Sequence, residues 1–189
     1  MATGSSGSKR SRRRRRPAVT VLRIGHRAGR DPRLSTHLAL AARAFGAERM
    51  LLHPPDPDLA RRIAAVVDGW GGAFEVAPAP EWRRVVRDFD GPSVHLTMYG
   101  LPLSRVRARL ARAPRLLVIA GGAKVPADLY RLATYNVAVG SQPHSEVAAT
   151  AVLLADLLGI PPPGPWPGAR RTIVPTARGK RVDGGRGTP

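Results

Sequence analysis

Cysteine is absent from this chain, which excludes disulfides and thiolate metal sites and is compatible with a reducing compartment. No apolar run approaches the roughly 18 residues needed to cross a bilayer. A basic run near the N-terminus is followed by no apolar segment, so that run is not expected to be a secretory signal. Side-chain amides are almost missing: Asn136 is the only asparagine and Gln142 the only glutamine among 189 residues. The signatures of several common chemistries are missing too. Neither G-x-G-x-x-G after a first strand nor G-x-x-x-x-G-K-[ST] occurs, which disfavours a dinucleotide dehydrogenase or a P-loop ATPase. No two histidines stand at i, i+4, so a helical zinc site is not expected. Ser145 lies outside any G-x-S-x-G, leaving serine-hydrolase chemistry without support. The expectation is a soluble, cytoplasmic protein without membrane contact or metal.

Positive charge, by contrast, is in excess. The net charge is +18, and arginine outnumbers lysine by 28 to 3. Residues 1–18 hold seven Lys/Arg and no acid, and residues 161–189 hold six Lys/Arg against one acid, Asp183. The body, 19–160, holds 18 basic and 12 acidic residues, so both ends are more basic per residue than the middle. Nucleic acid is the leading candidate for a polyanionic partner. Arginine suits phosphate because its planar fork makes bidentate contacts, although a codon bias that also enriches Ala, Gly and Pro accounts for much of the excess.

Residues 1–18 are poor in apolar side chains and are expected to be disordered. From Val19 onward, strand patterns at 19–24, 49–53, 73–76, 93–97, 115–120 and 135–139 alternate with helical patterns at 35–46, 56–69, 80–89, 102–112, 126–133 and 144–158. In the last of these, Val147, Ala151, Leu154 and Leu158 recur at helical spacing. Such alternation predicts an α/β domain over 19–160, with a mostly parallel sheet and helices on both faces. The run PPPGPWPG makes 161–169 a stiff linker. After it, RRTIVP and GKRV predict a basic β-hairpin over 170–182 turning near Thr176 to Gly179, and 183–189 form a flexible end.

Three strand ends carry unusual loops: LTMYG at 96–100, AGGAKV at 120–125 and VGSQPHSE at 139–146. All follow the carboxyl ends of strands, where α/β sheets bind ligands, and they can converge on one crevice. Glycines at 100, 121, 122 and 140 let backbone approach a ligand closely. Both lone amides fall in YNVAVGSQPHSEV, which runs through the third loop. A second cluster lies at 25–47, where Arg27, Arg30, Arg33, His37 and Arg43 crowd a loop and the following helix. Within it, Arg33 and His37 are in helical reach of one another, Arg43 follows further along the same helix, and such a group can hold a phosphate or assist a hydroxyl. A solvated basic helix start, with His37 beside the cap, is the competing reading.

In order along the chain, the motifs LRIGHRAGRDPRLSTH, LAARAFGA, HLTMYG, GGAKVP, YNVAVGSQPHSEVAA and IVPTARGKRV resemble those of the archaeal tRNA (cytidine-56) 2′-O-methyltransferase family, in the SPOUT superfamily. The resemblance runs from Val19 to Val182. It implies S-adenosyl-L-methionine bound in a C-terminal trefoil knot, a homodimer whose active site uses both subunits, and methylation of the ribose 2′-hydroxyl of cytidine 56 in tRNA. By position, the implied cofactor contacts are Leu96 in the first loop, Gly121, Gly122, Ala123, Lys124 and Val125 in the second, and Val139, Gly140, Ser141, Gln142, Pro143, His144, Ser145 and Glu146 in the third. Arg33, His37 and Arg43 are the candidates for orienting a phosphate and assisting proton removal. The chain departs from the family pattern at Ala123 in place of Glu, Thr134 in place of Asp and Ser141 in place of Asn, changes that backbone contacts survive. The alternatives are a non-catalytic basic RNA-binding protein on the same fold, or ribose methylation of a different RNA nucleotide.

Overall fold

The structure, a computed structural model, describes residues 16–30, 32–122, 124–161 and 164–184. The basic tail before Arg16, Ala123 and residues 185–189 fall outside the described residues. Strand β1 (Ala18–Ile24) is buried along almost its whole length. It is flanked in parallel by β2 (Arg49–His53) and β5 (Arg115–Gly121). Outside β2 lies β3 (Glu75–Pro78), while β4 (Ser93–Pro102) and then β6 (Tyr135–Ala138) extend the other side. The order is therefore β3-β2-β1-β5-β4-β6, and every pairing is parallel. Strands covered on both faces need near-continuous apolar runs, and LLVIA in β5 is such a run.

Helices α1 (Pro32–Ala44), α2 (Pro57–Trp70), α4 (Leu103–Leu110) and α6 (Glu146–Leu158) pack one face, with Leu38, Ile63, Val106 and Leu154 among the buried residues. The shorter α3 (Trp82–Asp88) and α5 (Leu129–Leu132) pack the other through Trp82, Val86 and Leu129. The chain builds outward from β1 to β3, then crosses to β4 on the far side of β5. The strand order thus reverses between β1 and β5, which is where a crevice opens in such sheets.

Element boundaries differ from the sequence expectation where a cap or a close approach intervenes. The last helix begins at Glu146 rather than 144, because Ser145 Oγ accepts the backbone N–H of Ala148 and so caps it. Strand β3 sits two residues later than expected, after the turn at Gly71 and Gly72. The helix expected over 126–133 shrinks to the single turn of α5. Strand β4 runs on to Pro102, and Val137 faces both Leu96 and Leu101 across the register shift. Gly100 makes that bulge possible, since a Cβ there would lie 2.4 Å from Val137 N. At the C-terminus, β7 (Thr172–Ile173) and β8 (Val182–Asp183) form a short antiparallel hairpin that includes Asp183. The segment before it is tied to the end of α2, with Arg170 N donating to Trp70 O at 3.0 Å.

Asp56 starts α2 by accepting the N–H groups of Asp58 and Leu59 on Oδ1, each at 2.9 Å, and faces His26 with Oδ2. The Leu59 N–H holds this carboxyl below its ordinary value, with help from His26 and the Asp58 N–H and against the opposing effect of burial. A depressed carboxylate stabilises the fold above its unfolded pKa of about 3.9, and that contribution is lost as pH falls through the lower folded value. Asp56→Ala is expected to lower unfolding free energy by at least about 1–2 kcal/mol and to make stability less steeply pH-dependent in acid. Urea titrations at pH 7 and pH 3 measure both, and an unchanged midpoint at pH 7 would contradict the assignment.

Candidate functional site

At the reversal between β1 and β5, the carboxyl ends of the strands open into a crevice of about 540 Å³, a usual size for a small-molecule site. Three loops form its rim. Leu96, Thr97, Met98 and Tyr99 come from β4, Gly121, Gly122 and Val125 follow β5, and Pro143, His144 and Glu146 lead into α6. Arg23 and Arg27 close it from the β1 side, and His95 and Tyr130 from the face covered by α5. In the turn after β5, Gly121 leaves room for Val125, whose Cγ1 would stand 2.1 Å from a Cβ there.

Seven of the residues expected to contact a cofactor therefore line one cavity: Leu96, Gly121, Gly122, Val125, Pro143, His144 and Glu146. Lys124, Ser141, Gln142 and Ser145 are exposed in the same loops, and Val139 and Gly140 are half-buried just after β6. Ala123 lies outside the described residues. Arg33, His37 and Arg43 do not line the crevice. The first two are exposed on α1, while Arg43 donates to Gly71 O at 2.8 Å and lies over the ring of Trp166. Thr134 accepts the N–H of Ser93 on its hydroxyl at 3.0 Å and returns its own N–H to Ser93 Oγ.

Beneath the rim runs a buried polar chain that the motifs did not reveal. Arg23 Nη1 donates to Glu146 Oε1 at 3.0 Å, and Arg23 Nε to Ser35 Oγ at 3.3 Å. Ser35 Oγ lies 2.9 Å from His26 Nδ1, and His26 Nε2 lies 2.9 Å from Asp56 Oδ2. Serine, histidine and aspartate stand here in the order of a nucleophilic triad. Ser35 is fully buried and also accepts from Arg23, so no substrate reaches its oxygen and it is not a nucleophile. The sequence did carry one signal. Arg23 interrupts the apolar strand VTVLRI, and a charge in such a strand must find partners.

Among the described residues no group of His, Cys, Asp and Glu is placed to hold a metal ion, and no helix is long and apolar enough to cross a membrane. The arrangement suits instead a small, partly charged organic ligand, with apolar walls, an anchored carboxylate and two arginines.

Comparison with known proteins gives this crevice a context. Residues 70–183 match the family described as tRNA ribose 2′-O-methyltransferase, aTrm56. A tRNA (cytidine(56)-2′-O)-methyltransferase of Archaeoglobus fulgidus is 46% identical over 164 residues, covering 87% of this chain and 97% of that protein. Its counterpart in Pyrococcus abyssi is 47% identical over 171 residues, covering 87% and 86%. The fold is shared with the SpoU methyltransferase AviRb of Streptomyces viridochromogenes, solved in complex with the cofactor AdoMet, at a TM-score of 0.52 and 18% identity, covering 76% of this chain and 60% of that one. With a family match over most of its length and relatives near half identity, the chain belongs to the tRNA (cytidine(56)-2′-O)-methyltransferase family.

Proposed function

We propose that this protein transfers a methyl group from S-adenosylmethionine to the ribose 2′-hydroxyl of cytidine 56 in tRNA, in the cytoplasm. The observation that carries the reading is the convergence of three separate loops on one crevice at the strand-order reversal, in a chain of this family. The residues present fit the cofactor. Leu96, Met98, Val125 and Ala149 offer apolar contact to a purine and a thioether chain, Glu146, paired with Arg23, an anionic acceptor, and Arg27 positive charge for a carboxylate.

When bound, S-adenosylmethionine supplies an electrophilic methyl on a sulfonium, which is a strong leaving group. The protein then has to align the acceptor hydroxyl and help remove its proton. Alignment of two reactants contributes about 7–11 kcal/mol in favourable cases. Glu146 is held in one orientation by Arg23, so the rim of the third loop is fixed before ligand arrives. Arg33 and His37, exposed on α1, remain the candidates for an RNA phosphate and for proton removal, and Arg43 supports the neighbouring backbone through Gly71.

The family's trefoil knot and homodimer belong to the same proposal. Placement of β6 beside β4, with the bulge at 97–100 between the two registers, accords with threading of the last segment past the first loop. Tyr99, Leu101, Val152 and Ile160 are large apolar side chains left exposed at 80%, 56%, 50% and 77%, and their exposure supports the reading that a second copy covers them. Sedimentation is expected to give twice the chain mass of 20.2 kDa, and Val152→Arg to shift the protein toward monomer; a wild-type monomer at micromolar concentration would remove the dimer from the account.

Incubation of an unmodified tRNA transcript with labelled S-adenosylmethionine, followed by mapping of the methylated position, tests the reaction. Label at the 2′-oxygen of cytidine 56 is expected. Binding of tRNA without any methyl transfer would support the non-catalytic alternative, and label at another nucleotide would change the substrate. In the same assay, removal of the basic residues 1–15 is expected to raise KM for tRNA and to spare cofactor affinity, because phosphate contacts dominate RNA affinity.

A further inference from the structure

The floor of the crevice carries a polar atom for which the mechanism above has no use, Nε2 of His95. The side chain is 1% exposed, yet its ring lines the crevice. Its tautomer follows from two bonds. Asn136 Nδ2 donates to Tyr130 O at 2.8 Å, which orients the amide so that Oδ1 faces His95. An amide oxygen only accepts, and His95 Nδ1 lies 2.8 Å from it. The proton therefore sits on Nδ1, and Nε2 keeps its lone pair. Among the described residues no hydrogen bond reaches Nε2. It is not sealed in the core either, since Thr150 Oγ1 is the sole buried side-chain N or O atom found without a partner there. Nε2 is open to the crevice.

Two further features hold the ring in that state. Tyr130 packs edge-on against it with centroids 4.8 Å apart, so the imidazole cannot turn over without displacing an aromatic ring. Burial pushes the imidazole below its ordinary value, and the hydrogen bond to Asn136 opposes this without reversing it. The identity of residue 136 matters here. A carboxylate in that place would favour the imidazolium and turn Nε2 into a donor, whereas a neutral amide oxygen leaves it an acceptor. The only asparagine in the chain stands at this position.

We propose that His95 Nε2 accepts a hydrogen bond from the cofactor, and that Asn136 is the positioning residue that makes it an acceptor. The inference rests on the crevice being the cofactor site. It assigns the bond to the cofactor rather than to RNA because only 1% of His95 is exposed. A small molecule can enter to meet so buried a side chain, whereas a ribose held on the backbone of a folded RNA is kept at the surface. The donor is an N–H or O–H group, carried by either the adenosine or the methionine part of the cofactor.

Imidazole 15N NMR on the full wild-type chain reads the state directly. The expected spectrum has His95 as the Nδ1–H tautomer, with an unprotonated Nε2 resonance that moves to lower shift when S-adenosylhomocysteine is added. An Nε2–H tautomer, or a resonance unmoved at saturation, would overturn the proposal. Calorimetry supplies the second reading. His95→Leu is expected to weaken S-adenosylhomocysteine about tenfold or more, with tRNA affinity in the absence of cofactor unchanged. His95→Gln keeps an acceptor oxygen and should stay within about threefold of wild type. Adenosine and methionine, titrated separately, locate the donor: the fragment whose affinity falls in His95→Leu carries it. Equal affinities for wild type and His95→Leu would refute the role of His95 while leaving the crevice as the cofactor site. Failure of the wild-type protein to bind S-adenosylhomocysteine at all would refute the functional reading itself.

Discussion

A guanidinium with 1% of its surface exposed has to be paired, and the pairing of Arg23 with Glu146 is what the rest of this molecule is arranged around. Removing a charge from water costs several kcal/mol per ion, and the loss is offset only when geometry and hydrogen bonding are both good. Arg23 meets that demand with Glu146 on one side of its fork and Ser35 on the other. The bond joins the first strand to the first residue of the last helix, 123 positions away in sequence. From Ser35 the polar chain continues through His26 to Asp56, the residue that starts α2. One buried charge thereby links β1, α1, α2 and α6 at the carboxyl end of the sheet.

This arrangement has a functional consequence. The third loop of the crevice is short and ends in Pro143, His144, the capping Ser145 and Glu146. Its Glu146 is tied to Arg23, which restrains the loop where it enters α6. Pre-formed sites avoid the ordering entropy that a flexible loop loses on binding. The same logic applies across the floor, where Tyr130, Asn136 and His95 form a second fixed chain on the opposite face of the sheet. On the proposed reading, cofactor recognition falls to these groups inside the sheet. The net charge of +18 is what draws a polyanion to the surface around it.

Much of this was legible in the residues. Alternating apolar strands and amphipathic helices predicted the parallel sheet, because a strand buried on both faces has no other composition open to it. Loops at 96–100, 120–125 and 139–146 stood out by their glycines and small polar residues, and all three meet at the crevice. The strand order was not legible from periodicity, which is local, whereas β4–β6 and β1–β5 pairings are set by long-range packing. Nor was the polar chain. Ser35 and His26 read as a loop and helix start, and only the fold brings Asp56 and Glu146 to them. Arg33 and His37 shared a helical spacing with Arg43 further along the same helix, but Arg43 turned to the backbone at Gly71 and the other two to solvent. Spacing along one helix predicts a shared face and says nothing about what that face meets.

The role given to the Arg23–Glu146 pair is most directly tested by a double-mutant cycle on unfolding free energy. Glu146→Met leaves a buried guanidinium without its partner and is expected to cost about 3–5 kcal/mol. Adding Arg23→Met to that variant removes the orphaned charge and is expected to restore most of the lost stability. Two losses that simply add, or a Glu146→Met protein as stable as wild type, would contradict the account.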